Sequence, residues 1–118
     1  MARNIDPPVS ERVGLARLAR HVIDSTPGVT ATAGPTGRWQ TIGSRHTIPG
    51  VLAVDDSDGR VDIELHLVAR WPPLMALEQI GEQLRAQLRR SAAAAGLGER
   101  LGAVSVAFDD MLVETETT

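Results

Sequence analysis

The fold is decided by residues 60–108, RVDIELHLVARWPPLMALEQIGEQLRAQLRRSAAAAGLGERLGAVSVAF, which predict a strand, a helix and a second strand in that order. Residues 61–67 alternate apolar and polar side chains, which is the period of a half-buried strand. Pro72-Pro73 ends that strand. The next apolar residues recur every three or four positions, as on one side of a helix: Leu77, Ile80, Leu84 and Leu88.

Glycines and turn residues predict where these elements end. The long helix is expected to begin near Pro73 or Leu74 and to end near Ala95, with Gly96 in a left-handed cap. Residues 103–108 return to alternation and predict the last strand. Upstream, the apolar run 51–54 and the acidic turn 55–59 predict an antiparallel hairpin with the strand at 60–69.

The first fifth of the domain predicts another helix. Ser10 is the expected N-cap, and the helix is expected to run to about Ser25, where Pro27-Gly28 closes it. Residues 29–33 predict a strand, and residues 38–42 predict a second short strand that pairs back to it. Residues 43–50 are predicted to be a loop.

Together these elements predict an α+β fold, with a small mixed or antiparallel sheet of three to four strands and two helices packed on one face. The opposite face of the second hairpin strand would carry Asp62, Glu64, His66 and Val68. An alternating strand needs cover on one side only, so this polar face is expected to meet solvent or a partner.

Composition limits what the protein can be. The 118 residues predict one domain over 10–113, with a flexible arm at 1–9 and a polar tail at 114–118. The net charge of −3 disfavours a dedicated nucleic-acid binder. There is no cysteine and no apolar run of the about 20 residues that a membrane helix needs, so we expect a cytoplasmic protein that does not span a membrane.

The polar residues predict no catalytic, cofactor or metal site. The three histidines, His21, His46 and His66, lack the spacing of a helical metal site. A carboxylate–imidazole cluster of His66 with Glu64 and Asp62 is conceivable, and it would be the basis of a small enzyme, but a solvated strand face is the favoured interpretation. Ser44 beside His46 lacks a nucleophile elbow.

Two other patterns predict binding surfaces. Arg85 and Arg89 lie one helical step of four apart, so they share a side of the long helix, either as a solvated face or as a partner-docking patch. Gly34-Pro35-Thr36-Gly37 fits a GxxG loop, which in KH domains clamps a nucleic-acid backbone. A KH-like RNA-binding module is therefore the alternative function.

Taken in order, the elements resemble the alkaline-shock protein family, the envelope-stress proteins of Gram-positive bacteria. The resemblance lies in Thr26-Pro27-Gly28-Val29, in the hairpin of residues 51–54 and 61–67, and in the long helix with Gly96-Leu97 and residues 104–109. It covers residues 9–113. The opening strand before the first helix and the loop at 34–50 depart from the family pattern, as a divergent actinobacterial branch would.

This resemblance implies a non-enzymatic cytoplasmic protein of envelope homeostasis, without cofactor. It implies self-association into a homo-oligomer and contact with a membrane-associated protein, which would place the chain peripherally at the inner face of the membrane. The family supplies no catalytic residue. The residues predicted to carry interaction are Asp62, Glu64, His66, Arg85 and Arg89.

Overall fold

The computed structural model describes residues 10–43, 45 and 47–113 of the chain. The predicted arm at 1–9, the tail at 114–118 and the two loop positions Ser44 and His46 lie outside the described residues. The elements are α1 (Glu11–Asp24), β1 (Val29–Ala31), β2 (Gln40–Ile42), β3 (Thr47–Pro49), β4 (Val51–Asp55), β5 (Val61–Trp71), α2 (Leu77–Ala94), a 3-10 turn (Gly98–Arg100) and β6 (Leu101–Val113). In the described part of the chain, neither helix combines the length and the apolar character needed to cross a bilayer.

Strand β5 is the centre of a mixed four-stranded sheet. β6 pairs with it in parallel along one edge, from Val61↔Leu101 to Trp71↔Val113. On the other edge two shorter antiparallel strands follow one another end to end, β4 against residues 61–65 and β1 against residues 67–69. The predicted α+β class and the hairpin of β4 and β5 are confirmed.

Both helices pack on one face of this sheet, as the apolar spacing predicted. Residues from β4 and β5 that point to this face are buried, and the apolar stripes of α1 and α2 cover them. The largest fully buried side chains are Leu15, Ile23, Ile63, Leu65, Leu67, Leu84 and Leu88. Each contributes about 1.5–3 kcal/mol of burial free energy, so this aliphatic layer is the main stabilising term.

The helix ends follow the predicted chemistry in part. The Ser10 side chain accepts a hydrogen bond from the amide of Val13 at 3.2 Å, so the predicted N-cap is confirmed. Gly96 ends α2 with φ +77°, also as predicted. The start of α2 differs, because the helix begins at Leu77 rather than at Pro73 or Leu74. Ala76 is the N-cap and has a non-helical ψ of 138°, so the helix does not extend back through it to the prolines.

The backbone of His66 marks the place where β1 and β4 separate. Its N–H donates to the carbonyl of Gly50 at 2.8 Å, and its carbonyl accepts from the amide of Thr32 at 2.9 Å. The chain therefore leaves the sheet at Thr32 and returns at Gly50, and both points are hydrogen-bonded to the backbone of His66. Gly50 has φ +82°, and a Cβ there would lie 2.5 Å from the Cβ of Ala31, so this crossing requires glycine.

The excursion between these two points contains a second, two-stranded sheet. β2 pairs with β3 in an antiparallel hairpin, so the predicted pairing of residues 38–42 with residues 29–33 is wrong, as is the loop predicted for 43–50 at positions 47–49. The hairpin is held beside β4 by Thr41, which is buried. Its hydroxyl donates to the carbonyl of Val51 at 2.6 Å and accepts from the amide of Ala53 at 3.0 Å.

β6 extends beyond the predicted strand 103–108 at both ends. The prediction was too short because two irregularities interrupt the alternation of apolar and polar residues. The residues on the side of the sheet that carries the helices are Leu101, Val104, Val106, Phe108, Met111 and Val113, at spacings of three, two, two, three and two. Each spacing of three coincides with a register shift against β5, one at 102–103 and one at Asp109. An inserted residue of this kind is a β-bulge, and it hides a strand from a search for a strict period of two.

Replacement of Thr41 by valine tests how the small hairpin is attached. The side-chain shape is kept, but the amide of Ala53 and the carbonyl of Val51 lose a partner in a buried place. We expect Thr41→Val to lower the free energy of unfolding by about 1–3 kcal/mol in urea titrations followed by circular dichroism. Thr30→Val, on an exposed position of β1, is the matched control and should change it by less than about 0.5 kcal/mol.

Candidate functional site

The most concentrated polar group lies on the sheet face opposite the helices, around His66. The Nε2 atom of His66 lies 2.7 Å from Oε1 of Glu64, and its Nδ1 atom lies 2.7 Å from Oδ2 of Asp109. Glu64 precedes His66 by two positions on β5 and so shares its face, whereas Asp109 comes from the bulge of β6. We call these three residues with Trp39 the His66 cluster.

Both nitrogens of the His66 ring are engaged, each by a different carboxylate, and which nitrogen donates depends on the tautomer of the ring. The His66 ring is only 4% exposed, and the Asp109 side chain is 20% exposed against 50% for Glu64. Asp109 is therefore the better enclosed of the two carboxylates.

Trp39 covers the ring of His66. The two rings are stacked, with centroids 4.4 Å apart and planes inclined by 4°. The backbone of Trp39 is fixed at both sides, because its amide donates to Ala33 and its carbonyl accepts from Gly50. A Cβ on Gly34 would lie 2.5 Å from the indole ring, so the turn at 34–37 wraps closely around Trp39. With both nitrogens engaged and one ring face covered, His66 holds the 32–50 segment against the sheet.

Asp62 has a different partner. Its Oδ1 atom accepts a hydrogen bond from the amide of Ala103 at 2.9 Å, at the first bulge of β6. A Cβ on the neighbouring Gly102 would lie 2.3 Å from the same oxygen. Asp62 therefore binds an amide that the bulge has displaced from the ladder, and it lies outside the His66 cluster.

The two predicted arginines lie on the other side of the sheet, above the outer edge of β6. Nε of Arg85 donates to the carbonyl of Val104 at 3.1 Å, and Nη2 of Arg89 donates to the carbonyl of Gly102 at 3.2 Å. They occupy backbone acceptors of the first part of the edge. Charged side chains placed in this way hinder the pairing of another strand.

After Val104, the outer edge of β6 is no longer covered by arginine side chains. The amide of Ala103 points toward β5, and direction alternates along a strand, so the N–H and C=O groups of Val104, Val106 and Phe108 point outward. Within the described residues, β5 is the one strand that pairs with β6. One helical turn before Arg85, α2 has Gly81, which is buried beside Val106 and has no side chain to extend over the edge. No described residue forms a hydrogen bond with the outward groups of Val106 and Phe108, so these groups are open.

A groove of about 390 Å³ lies beside these open groups, between α2 and β6. Its walls are the apolar residues Leu77, Val106 and Phe108, together with Gly81 and the charged Glu78, Glu82 and Arg85. A Cβ on Gly81 would lie 3.8 Å from the Cβ of Val106, so glycine there widens the groove without being required by close contact. We call the groove with the open groups of Val106 and Phe108 the β6 edge site.

The structure thus divides the five predicted interaction residues into separate places. Glu64 and His66 come together in the His66 cluster, Asp62 supports a bulge, and Arg85 and Arg89 cover part of the edge of β6. The expectation that the polar face is open was wrong at His66, which is buried beneath Trp39. The contact of Asp109 with His66 and the stacking of Trp39 on its ring were missed. The three-residue step from Phe108 to Met111 was the signal that could have revealed the bulge at Asp109.

Other predicted features have plain structural positions. The GxxG segment at 34–37 joins β1 to β2, which differs from the helix–loop–helix setting of a KH domain. In the acidic turn, Oδ1 of Asp56 accepts from the amides of Asp58 and Arg60, as expected for a hairpin turn. Over residues 10–43, 45 and 47–113, the side chains of His, Asp and Glu form no group of three placed to hold a metal ion.

Comparison with protein-family models, with curated proteins and with solved structures gave no match to this chain. The resemblance to the alkaline-shock protein family therefore stays a prediction from the sequence.

A double-mutant cycle tests the His66 cluster. His66→Phe keeps a ring to stack on Trp39 but removes both nitrogens, and it is combined with Asp109→Ala or with Glu64→Ala. In urea unfolding we expect a coupling energy of about 1–3 kcal/mol for His66 with Asp109. The coupling with Glu64 should be below about 1 kcal/mol, because water screens a half-exposed carboxylate. Equal coupling energies would show that the strength of the two contacts is not set by how far each carboxylate is enclosed.

Gly81→Ala tests whether glycine in α2 is needed for folding. Because the added methyl meets only ordinary contacts, we expect the variant to gain up to about 1 kcal/mol of unfolding free energy from helix propensity. Gly14→Ala in α1, whose Cβ would also meet its nearest neighbour at 3.8 Å, is the matched control and should gain a similar amount. A loss of unfolding free energy at Gly81 alone would mean that packing against Val106 requires glycine at that position.

Proposed function

We propose that this protein is non-enzymatic and acts by associating with other protein chains, first with a second copy of itself, through the β6 edge site. The observation that carries the proposal is the pair of open residues, Val106 and Phe108, between the part of the edge that the two arginines cover and the bulge at Asp109. Unpaired strand edges bind further strands through their backbone groups, and neighbouring pockets for side chains give such binding its selectivity. The β6 edge site offers both.

The distribution of charge on the edge supports this proposal. Arg85 and Arg89 protect the stretch at Gly102 and Val104, which is a common way of preventing unwanted pairing. Protection stops one turn later, at Gly81, although an alanine or a longer residue would suit the helix better. A gap in the protection at the place where an apolar groove opens is what a selective association surface requires.

The His66 cluster has a supporting role in this proposal. Both ring nitrogens of His66 are engaged, and its exposed fraction is small, so it suits the anchoring of Asp109 and the 32–50 segment better than it suits the binding of a substrate. By holding Asp109 it fixes the bulge that ends the open part of β6.

The cellular setting of the proposal comes from the sequence resemblance. We propose a cytoplasmic protein of the envelope-stress response that reaches the inner face of the membrane through a membrane-associated protein.

Light scattering after size-exclusion chromatography tests the proposal. Over a concentration series the native chain should rise from 12.6 kDa toward twice that mass. Gly81→Arg adds a third arginine to the row of Arg85 and Arg89 and should keep the chain monomeric. Ala86→Arg places the same charge on an exposed position of α2 that lines the separate α1–α2 groove, and it should associate as the native chain does.

Circular dichroism must show the same helical content for both variants, so that a loss of association is not a loss of folding. A native chain that stays monomeric throughout the series would overturn the proposal. Equal association of the Gly81→Arg and Ala86→Arg variants would move the contact away from the β6 edge site.

A further inference from the structure

We infer that two copies pair their β6 strands antiparallel about a two-fold axis at Ala107, with Val106 of each copy opposite Phe108 of the other. This inference rests on the proposed self-association and gives it a register and a set of contacts. It follows from which backbone groups are open and from how they are spaced.

The open groups allow one self-complementary register. Outward residues must face outward residues for a pair of hydrogen bonds to form, and the outward residues of this region are Val104, Val106 and Phe108. Arg85 occupies the carbonyl of Val104, and the bulge at Asp109 interrupts the strand after Phe108. Pairing Val106 with Phe108 and Phe108 with Val106 is the arrangement that uses both open residues of each copy. It forms four backbone hydrogen bonds.

The residue on the axis is small. Ala107 lies between the two open residues, in register with His66, and it would face Ala107 of the second copy in a pair without hydrogen bonds. In such pairs the Cα atoms approach to about 4.5 Å, and their side chains come closer than in the other kind of pair. A methyl group fits this place, where a large side chain would hold the strands apart.

In the inferred dimer, α2 of one copy is also complementary in shape to α2 of the other. α2 runs antiparallel to β6. Arg85 is level with Val104, and Gly81 is level with Val106. One turn earlier in the helix, Leu77 is therefore level with Phe108. The two-fold axis brings Phe108 of the second copy opposite Val106, so Leu77 of that copy arrives beside Gly81. An apolar side chain from each copy thus meets the widened part of the groove of the other.

Charge opposes association at this interface. Glu78 and Glu82 of the two copies approach the same axis and repel. All four glutamates are exposed, and at physiological salt repulsion falls off over about 8 Å, so it weakens the dimer without preventing it.

Cysteine cross-linking tests the register, because the chain has no cysteine of its own. Ala107→Cys would place two thiols on the axis, within the Cα separations that a disulfide accepts. Copper–phenanthroline in air would remove two electrons and two protons from the thiol pair. We expect most of that variant to run as two linked chains on a non-reducing gel. Ser105→Cys is the matched control, since its two copies would lie four residues apart along the strands, about 13 Å, and should stay unlinked.

The outcomes separate the register from the proposed function. If the chain is a dimer and Ser105→Cys cross-links as readily as Ala107→Cys, the inferred register is wrong and self-association stands. If neither variant cross-links and light scattering shows a dimer, the inferred interface is wrong as a whole. If the native chain is monomeric, the proposed function falls together with the inference.

Discussion

The structure depends on the backbone of β5, and most of all on the pairing of His66. That residue gives its N–H to the end of one strand and its carbonyl to the end of another, so β4 and β1 share one edge of β5 without overlapping. Its side chain contacts Asp109 of β6, on the opposite edge of β5, and it also stacks on Trp39, which belongs to the segment that left the sheet. Removal of the His66 side chain would therefore weaken contacts between pieces of chain that are far apart in sequence.

The two bulges of β6 explain how one strand serves two purposes. If the pairing continued without a bulge after Phe108, Asp110 would be level with Ala69 on the helix side, where a carboxylate would lie among apolar residues. With the bulge, Asp110 is level with Val68 on the polar face, and Met111 and Val113 return to the helix side. The same insertion ends the regular run of outward groups after Phe108. The bulge thus corrects the polarity of the strand and also limits the edge that another chain could use.

Much of the fold could be predicted because it rests on local chemistry. The cap at Ser10, the left-handed Gly96 and the periods of α1, α2 and β5 are properties of residues near one another in sequence. The pairing of β2 with β3 was missed because short strands of three residues carry little pattern, and Thr41 joins them to β4 through a side chain. The His66 cluster was missed in part because Asp109 is 43 residues from His66, and only the bulge places it there.

The charged residues show most clearly why pattern alone assigns roles poorly. Arg85 and Arg89 share a helix side with Gly81, and in the sequence the arginines draw attention while the glycine does not. In the structure the arginines occupy backbone acceptors of β6, and the glycine leaves the next acceptors open. Alanine at position 81 would favour the helix and would meet only ordinary contacts, so neither helix propensity nor packing against Val106 accounts for the glycine. What distinguishes glycine there is that it adds no side chain over the edge of β6.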